Sequence, residues 1–87
     1  RKQYYYNLIS NAKIPANIVV YESQAPVDEV VSYYRLYFEI LNYSFIRHRF
    51  DSEAMAIFRN TREQYTLFVE ARDNATLVTI EYYSRRE

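Results

Sequence analysis

Residues 27–41, with the sequence VDEVVSYYRLYFEIL, form the stretch that decides the fold. Apolar side chains recur in it at steps of three and four positions, which is the spacing of one face of an α-helix. Pro26 suits the first turn of a helix, because the amide hydrogen that proline lacks has no partner within the helix there. Asp28 and Glu29 add negative charge where the helix dipole favours it. The predicted apolar face consists of Val27, Val30, Val31, Tyr34, Phe38 and Leu41, and Tyr33, Tyr37 and Ile40 widen it.

Strand patterns lie on both sides of this helix. Residues 17–22 (NIVVYE) are dense in β-branched side chains, which is typical of a strand. After the helix the apolar period changes to two, which predicts strands at residues 44–50, 54–59, 64–72 and 75–83. Turn-forming residues separate them, and the Asp73-Asn74 pair has the length of a two-residue hairpin loop. The sequence therefore predicts an α+β fold, with one main helix packed on an antiparallel sheet in the order β-α-β-β-β-β.

A chain of 87 residues has room for one domain. We assign residues 14–87 to a single α+β domain and residues 1–13 to an N-terminal tether or an extra element. The run Tyr4-Tyr5-Tyr6 fits a strand, a helix start or a tether equally well, and Pro15 ends any helix that precedes it. The residues expected in the core are Val30, Val31, Tyr34, Phe38 and Leu41 from the helix, and Val19, Ile57, Leu67, Val69 and Val78 or Ile80 from the sheet.

The composition excludes most kinds of catalytic site. The chain has no glycine, no cysteine and one histidine, which removes Gly-rich phosphate loops, thiolate chemistry and two-histidine metal sites. We interpret His48, between Arg47 and Arg49, as a surface histidine, because the sequence marks no partner that would orient it for catalysis. We therefore expect no enzymatic activity, no cofactor, and at best weak Ca²⁺ or Mg²⁺ binding by carboxylates.

The charge balance narrows the choice of partner. Lys and Arg total 11 and Asp and Glu total 11, so the net charge is zero and no basic surplus is left to neutralise phosphates. We therefore expect no nucleic-acid partner. No apolar run approaches the ~18 residues that cross a bilayer, so we expect contact with a membrane only through a tether outside this chain.

Tyrosine and arginine, which protein interfaces favour, are abundant in this chain. One helix covers one face of a sheet, so the other face is expected to meet solvent or another protein. Adjacent strand residues such as Tyr82 and Tyr83 point to opposite faces, so one of them is expected to point away from the helix. The alternative is that the tyrosines fill a small core whose edges remain in contact with water. The candidate interface residues are Tyr4, Tyr5, Tyr6, Tyr65, Tyr82, Tyr83, Arg47 and Arg49.

Four short segments together resemble a known kind of domain. They are Ile14-Pro15, residues 18–23 (IVVYES), residues 28–35 (DEVVSYYR) and residues 76–80 (TLVTI). The pattern of a proline, a β-branched strand, an EVVxYYR-type helix and a meander is similar to small bacterial cell-envelope domains, often on lipoproteins or behind membrane anchors. Where such domains commonly have Gly-Trp after the helix, this chain has Asn42-Tyr43. Asparagine tolerates the left-handed conformation that ends many helices, and Tyr43 can take the place of the aromatic plug.

The resemblance implies an extracytoplasmic, non-enzymatic domain tethered by its N-terminal segment, and it supplies no catalytic residues. The sequence thus favours a binding or assembly module of the bacterial cell envelope that acts through a Tyr/Arg-rich sheet surface on a protein partner or a second copy. The alternative is a cytoplasmic regulatory or small-ligand-binding α+β domain.

Overall fold

The computed structural model describes residues 17–50 and 53–84, and the side chains of Arg49 and Phe50 are not described. The predicted α+β order is confirmed. One helix and five strands follow one another as β1 (Asn17–Ser23), α1 (Val27–Ile40), β2 (Ser44–Phe50), β3 (Glu53–Arg59), β4 (Glu63–Ala71) and β5 (Thr76–Ser84). Our assignment of residues 1–13 as a tether or an extra element lies outside the described residues.

The five strands form one antiparallel sheet in the order β1-β5-β4-β3-β2. Strands β2 to β5 are a meander in which each strand pairs with the next one along the chain. Strand β1 instead pairs with the last strand, with Ser23 opposite Thr76 and Asn17 opposite Tyr82. Within residues 17–50 and 53–84, the two edges of the sheet are therefore β1 and β2.

Helix α1 begins and ends where its local sequence dictates. Pro26 is extended at the N-terminus (φ −65°, ψ 161°), and two acidic residues occupy the first turn. At the C-terminus Asn42 adopts a φ of 66°, as expected from its position. Its amide donates to the Glu39 carbonyl, and the Tyr43 amide donates to the Phe38 carbonyl, each at 3.0 Å. The ring of Tyr43 packs on Phe38 (centroids 4.9 Å apart), which completes a Schellman ending with its apolar contact.

The two hairpin loops that join β3 to β4 and β4 to β5 are built without glycine. The Arg72 amide donates to the Ala75 carbonyl at 2.8 Å, which closes the predicted two-residue loop at Asp73-Asn74. The Asn60 side-chain oxygen accepts from the amides of Arg62 and Glu63 and so holds the other loop. Among the described residues Asn42 alone has a positive φ, so both loops use backbone conformations open to any residue.

The main core lies between α1 and strands β2, β3 and β4. Its helix residues Val30, Val31 and Phe38 are buried as expected, and Tyr34 packs at its margin. The buried residues of this core are Val27, Val30, Val31, Phe38, Ala54, Ala56, Phe58, Leu67, Val69 and Val78.

Three residues that we expected in this core lie elsewhere. Leu41 is about half exposed, because the helix has already ended at Ile40. Ile57 is on the opposite face of the sheet, because Ala56 and Phe58 on either side of it belong to the core under α1. Val19 is exposed because it lies on the edge strand β1, whereas α1 packs on strands β2 to β4, toward the opposite edge of the sheet.

The face of the sheet that points away from α1 is also buried at its centre. Its residues Thr66 and Glu81 are directly opposite each other on β4 and β5 and are 0 % and 1 % exposed. The expectation that this face meets solvent or another protein therefore does not hold at its centre. The buried residues on it are Met55, Thr66, Phe68, Thr79, Glu81 and Tyr83, and we call them the second face.

Candidate interaction surface

An aromatic cluster crosses the sheet beneath α1, with Phe38 at its centre. The Phe38 ring stacks on Phe58 (centroids 4.5 Å apart) and touches Tyr65 (4.9 Å). Tyr65 in turn touches Tyr82 on the neighbouring strand (5.1 Å). Tyr65 and Tyr82, two of the candidate interface residues, are therefore half-buried and belong to the margin of the core.

The structure does not bring the other candidate interface residues together. Tyr83 points away from α1, but it is 5 % exposed and donates a hydrogen bond to Glu81 at 2.7 Å. Arg47 is exposed and forms an ion pair with Asp28 (3.1 Å), which ties β2 to the start of α1. Tyr4, Tyr5 and Tyr6 and the side chain of Arg49 lie outside the described residues.

A different group of side chains forms an exposed apolar area on the helix side of the sheet. Since α1 packs on β2, β3 and β4, the helix-facing side of β1 is left open. Tyr33 and Ile40 on the outer side of the helix are 65 % and 71 % exposed. The group, which we call the α1–β1 surface, consists of Val19, Tyr21, Tyr33, Leu36, Tyr37 and Ile40.

Sequence reasoning missed this surface although its signal is present. Tyr33, Tyr37 and Ile40 are interpreted from the sequence as a widening of the buried stripe. In fact Tyr33, Leu36, Tyr37 and Ile40 recur at steps of three, one and three, which is a complete helical stripe of its own. Helix α1 thus carries two apolar stripes, one in the core and one in solvent.

Two tyrosines connect the helix to the edge strand within this surface. The hydroxyl groups of Tyr21 on β1 and Tyr34 on α1 are 2.6 Å apart, and the ring of Tyr34 makes an edge contact with Tyr33 (5.1 Å). Burial raises the pKa of the Tyr34 phenol above its ordinary value, and the hydrogen bond with Tyr21 raises it further. Tyr34 therefore stays protonated and links α1 to β1 through the hydrogen bond of its hydroxyl group.

Two other tyrosines, Tyr43 and Tyr65 of the aromatic cluster, also have a raised phenol pKa. Tyr43 donates a hydrogen bond to a carboxylate oxygen of Glu63. Burial raises the pKa of Tyr43, and the hydrogen bond and charge of Glu63 add to the effect. Burial also raises the pKa of Tyr65, again with a contribution from the Glu63 charge.

These pKa shifts predict that the protein loses stability in alkaline solution. Tyrosine in an unfolded chain titrates at about pH 10, whereas folding raises the pKa of Tyr34, Tyr43 and Tyr65. Below that pH the three phenols are protonated in both states, and their contribution is fully present. Above it the unfolded chain releases protons that the folded chain keeps, so the free energy of unfolding falls as the pH rises. Urea unfolding between pH 8 and 11 measures the fall, and a Tyr34→Phe variant is expected to show a shallower one. Equal slopes for the two proteins would contradict the assignment to Tyr34.

The one histidine of the chain, His48, lies outside the α1–β1 surface. His48 is exposed on β2. Across residues 17–50 and 53–84 no group of three or more His, Cys, Asp or Glu side chains is arranged to hold a metal ion. In the same part of the chain the one helix is too short and too polar to span a bilayer. Phenol hydroxyls and aliphatic side chains on a continuous surface suit contact with another protein.

No protein-family model matches the chain, and no curated protein sequence matches it significantly. The surface itself therefore carries the functional inference.

Proposed function

We propose that this chain is a non-enzymatic assembly module of the bacterial cell envelope, and that its α1–β1 surface joins two copies of it. The observation that carries the proposal is the second apolar stripe of α1, which is exposed beside the open edge strand β1. Contiguous exposed apolar areas on soluble domains usually mark contact sites. Tyrosine and leucine on this stripe offer the large apolar contact that interface centres favour.

The stripe is complementary to itself when two copies meet antiparallel. A two-fold axis between Leu36 and Tyr37 places these two residues opposite each other across the pair. The same axis places Tyr33 opposite Ile40, so each aromatic ring faces an aliphatic side chain. This matching of large and smaller side chains is what an interface between identical surfaces needs.

Charge also favours a second copy over a charged partner. The net charge of the chain is zero, so two copies do not repel each other at long range. Of the two arginines proposed from the sequence, Arg47 pairs with Asp28, and the side chain of Arg49 is not described. Arg35, on the same helix as the stripe, lies over the ring of Phe45 on β2. The surface therefore binds through apolar area and phenol groups.

The cell-envelope location rests on the resemblance of the Pro-strand-helix-meander pattern to small bacterial envelope domains. In that setting the segment before β1 connects the domain to a tether outside this chain. Two tethered copies are held at high local concentration, which strengthens a modest contact without any new interactions.

The proposal predicts a concentration-dependent dimer that a single surface charge weakens. Sedimentation equilibrium of the full chain from 1 to several hundred micromolar is expected to show a dimer with a dissociation constant of about 10–100 µM. Leu36→Lys places a charge at the centre of the stripe, where burial against an apolar partner is costly. It is expected to weaken the dimer by about tenfold or more.

Asn74→Lys is the matched control, because it adds the same charge at an exposed position in the loop between β4 and β5, outside the α1–β1 surface. It is expected to leave the dissociation constant unchanged. A strictly monomeric chain at the highest concentration rejects the proposed dimer, as does an equal loss of affinity in both lysine variants.

A further inference from the structure

Strand β1 is an edge strand with an open outer side. Within residues 17–50 and 53–84 it pairs on one side only, with β5, in an unbroken register of seven residues. On the other side, every second residue of the strand presents amide and carbonyl groups without a partner strand in this part of the chain. Helix α1 packs toward the opposite edge of the sheet. A further strand therefore has room to pair with β1.

The side chains of β1 are apolar and exposed on both faces of the sheet. Val19 and Tyr21 lie on the helix side, and Ile18 and Val20 lie on the other side. Val19 is 54 % exposed and Val20 is 48 % exposed. Natural edge strands are commonly protected from pairing by lysine, proline or a bulge, and Asn17–Ser23 contains none of these. Another strand beside β1 would remove these side chains from water.

The other edge strand, β2, is less suited to pairing with a further strand. Its sequence places arginine at positions 47 and 49, with the exposed His48 between them. Charged side chains on an edge strand oppose the approach of another strand. Arg47 also contacts Asp28 at the start of α1, so its side chain is held beside the edge. The two edges of the sheet therefore differ, and β1 is the one that favours pairing.

The sequence of β1 is complementary to itself in the antiparallel direction. A two-fold axis through Val20 pairs all seven residues of the strand with those of a second copy. Val20 then faces Val20 of the second copy, and Tyr21 faces Val19. An aromatic ring directly opposite a β-branched side chain is a stabilising cross-strand pair, and it occurs twice in this arrangement. The best partner for this edge is therefore the same edge of another copy.

Charge favours the register centred on Val20. Glu22 is the one charged residue in the sequence of β1. In this register it faces Ile18 of the second copy, and the two glutamates are about 13 Å apart along the strands. Exposed charges at that distance are largely screened at physiological salt. A register centred on Glu22 would instead place the two carboxylates directly opposite each other, which destabilises a strand pair.

We propose that β1 pairs antiparallel with β1 of a second copy, so that two sheets of five strands join into one continuous sheet. The two-fold axis is perpendicular to the sheet, so both helices lie on the same side of it. This contact is separate from the pairing of the α1 stripes, because it uses the backbone edge of β1. A chain with both contacts forms assemblies larger than a dimer. A strand of an unrelated protein is the other occupant of this edge.

Disulfide cross-linking tests the contact with the α1 stripe disabled. The full chain has no native cysteine, so Val20→Cys/Leu36→Lys places one thiol at the proposed axis, about 5 Å from its copy and within reach of a disulfide. Glutathione disulfide oxidises the two thiols and is reduced to two molecules of glutathione. We expect the covalent dimer to form at least about tenfold faster than in Ile46→Cys/Leu36→Lys. Ile46 is the control because it is similarly exposed on the other edge strand.

Opposite charges at the axis give a second readout, which depends on the register. In the Leu36→Lys chain we expect a dimer with a dissociation constant of about 0.1–1 mM by sedimentation equilibrium. Adding Val20→Lys or Val20→Glu places two like charges opposite each other, and each variant alone is expected to be monomeric. An equimolar mixture of the two places lysine opposite glutamate and is expected to restore the dimer.

Two results overturn the proposal. One is an equal rate of cross-linking in the two cysteine variants, and the other is a mixture of the Val20 variants that stays as monomeric as each alone. Either result rejects a second copy as the partner of β1 and leaves the pairing of the α1 stripes untouched. Conversely, fast cross-linking at position 20, together with a parent dimer that Leu36→Lys does not weaken, supports the β1 contact and rejects the stripe contact.

Discussion

Replacing Phe38 by alanine is expected to lower the free energy of unfolding by ~3–5 kcal/mol. The side chain is 6 % exposed and is the centre of the aromatic cluster, where it contacts Phe58, Tyr65 and Tyr43. Without the phenyl ring, the free energy gained by burying it away from water is lost, and a cavity remains between the helix and the sheet. A domain of this size has a total stability of only ~5–10 kcal/mol, so the variant is expected to be partly unfolded at 37 °C. Urea unfolding followed by circular dichroism measures the loss.

Leu36→Ala is the control for this experiment, because Leu36 is on the same helix and is 61 % exposed. At low micromolar concentration, where the chain is expected to be monomeric, its loss is expected to stay below ~1 kcal/mol. A Phe38→Ala protein with an unchanged unfolding midpoint would mean that α1 packs through a different side.

Enlarging Ala56 to leucine is expected to cost ~1–3 kcal/mol. Ala56 is fully buried in the centre of β3, on the face that α1 covers, and Ala54 is the next residue of that strand on the same face. Two small side chains here let the helix lie close to the sheet, and three added carbon atoms have no space to occupy. Thermal unfolding of the variant measures the cost, which is expected as a lower midpoint.

Ala71→Leu provides the comparison for Ala56→Leu, since Ala71 is exposed at the end of β4. The same change in size is expected to leave the midpoint within a few degrees of the parent there. Equal midpoints for the Ala56 variant and the parent would show that the helix does not press on β3.

The order of the elements could be predicted because each carries a strong local signal. The helix has a clear three-to-four spacing between Val27 and Phe38, and its start and end are marked by Pro26 and Asn42. The strands of the meander alternate with a period of two, and their observed bounds differ from the prediction by one residue at most. Such signals act within a few positions along the chain, which is why a sequence alone reveals them.

The assignment of side chains to faces failed where residue size misled it. In the segment Ala54–Phe58 the bulky Ile57 looks like the core residue between two alanines. The structure buries the alanines under the helix instead, because the helix needs small residues at its closest approach. A period of two gives two alternative faces, and only the packing partner decides between them.

The candidate surface depends on the lateral position of the helix, which no local signal encodes. Helix α1 packs on β2 to β4 and leaves β1 open, so Tyr21 and Val19 join the exposed stripe of the helix. Tyr65, Tyr82 and Tyr83 were expected at an interface because of their composition. In the sheet, Tyr65 and Tyr82 lie at the margin of the core, and Tyr83 is buried on the second face.

The pairing of the first strand with the last has a consequence for the order in which the chain folds. The β2–β5 meander and its contacts with α1 join segments that are near each other in sequence, so these contacts close short loops and form early. Strand β1 has its partner in β5, the last strand of the described residues. During translation β1 therefore stays without its partner strand, and its apolar side chains stay exposed, until nearly the whole domain has left the ribosome. The interval in which this strand can pair with a wrong neighbour is set by the rate of synthesis.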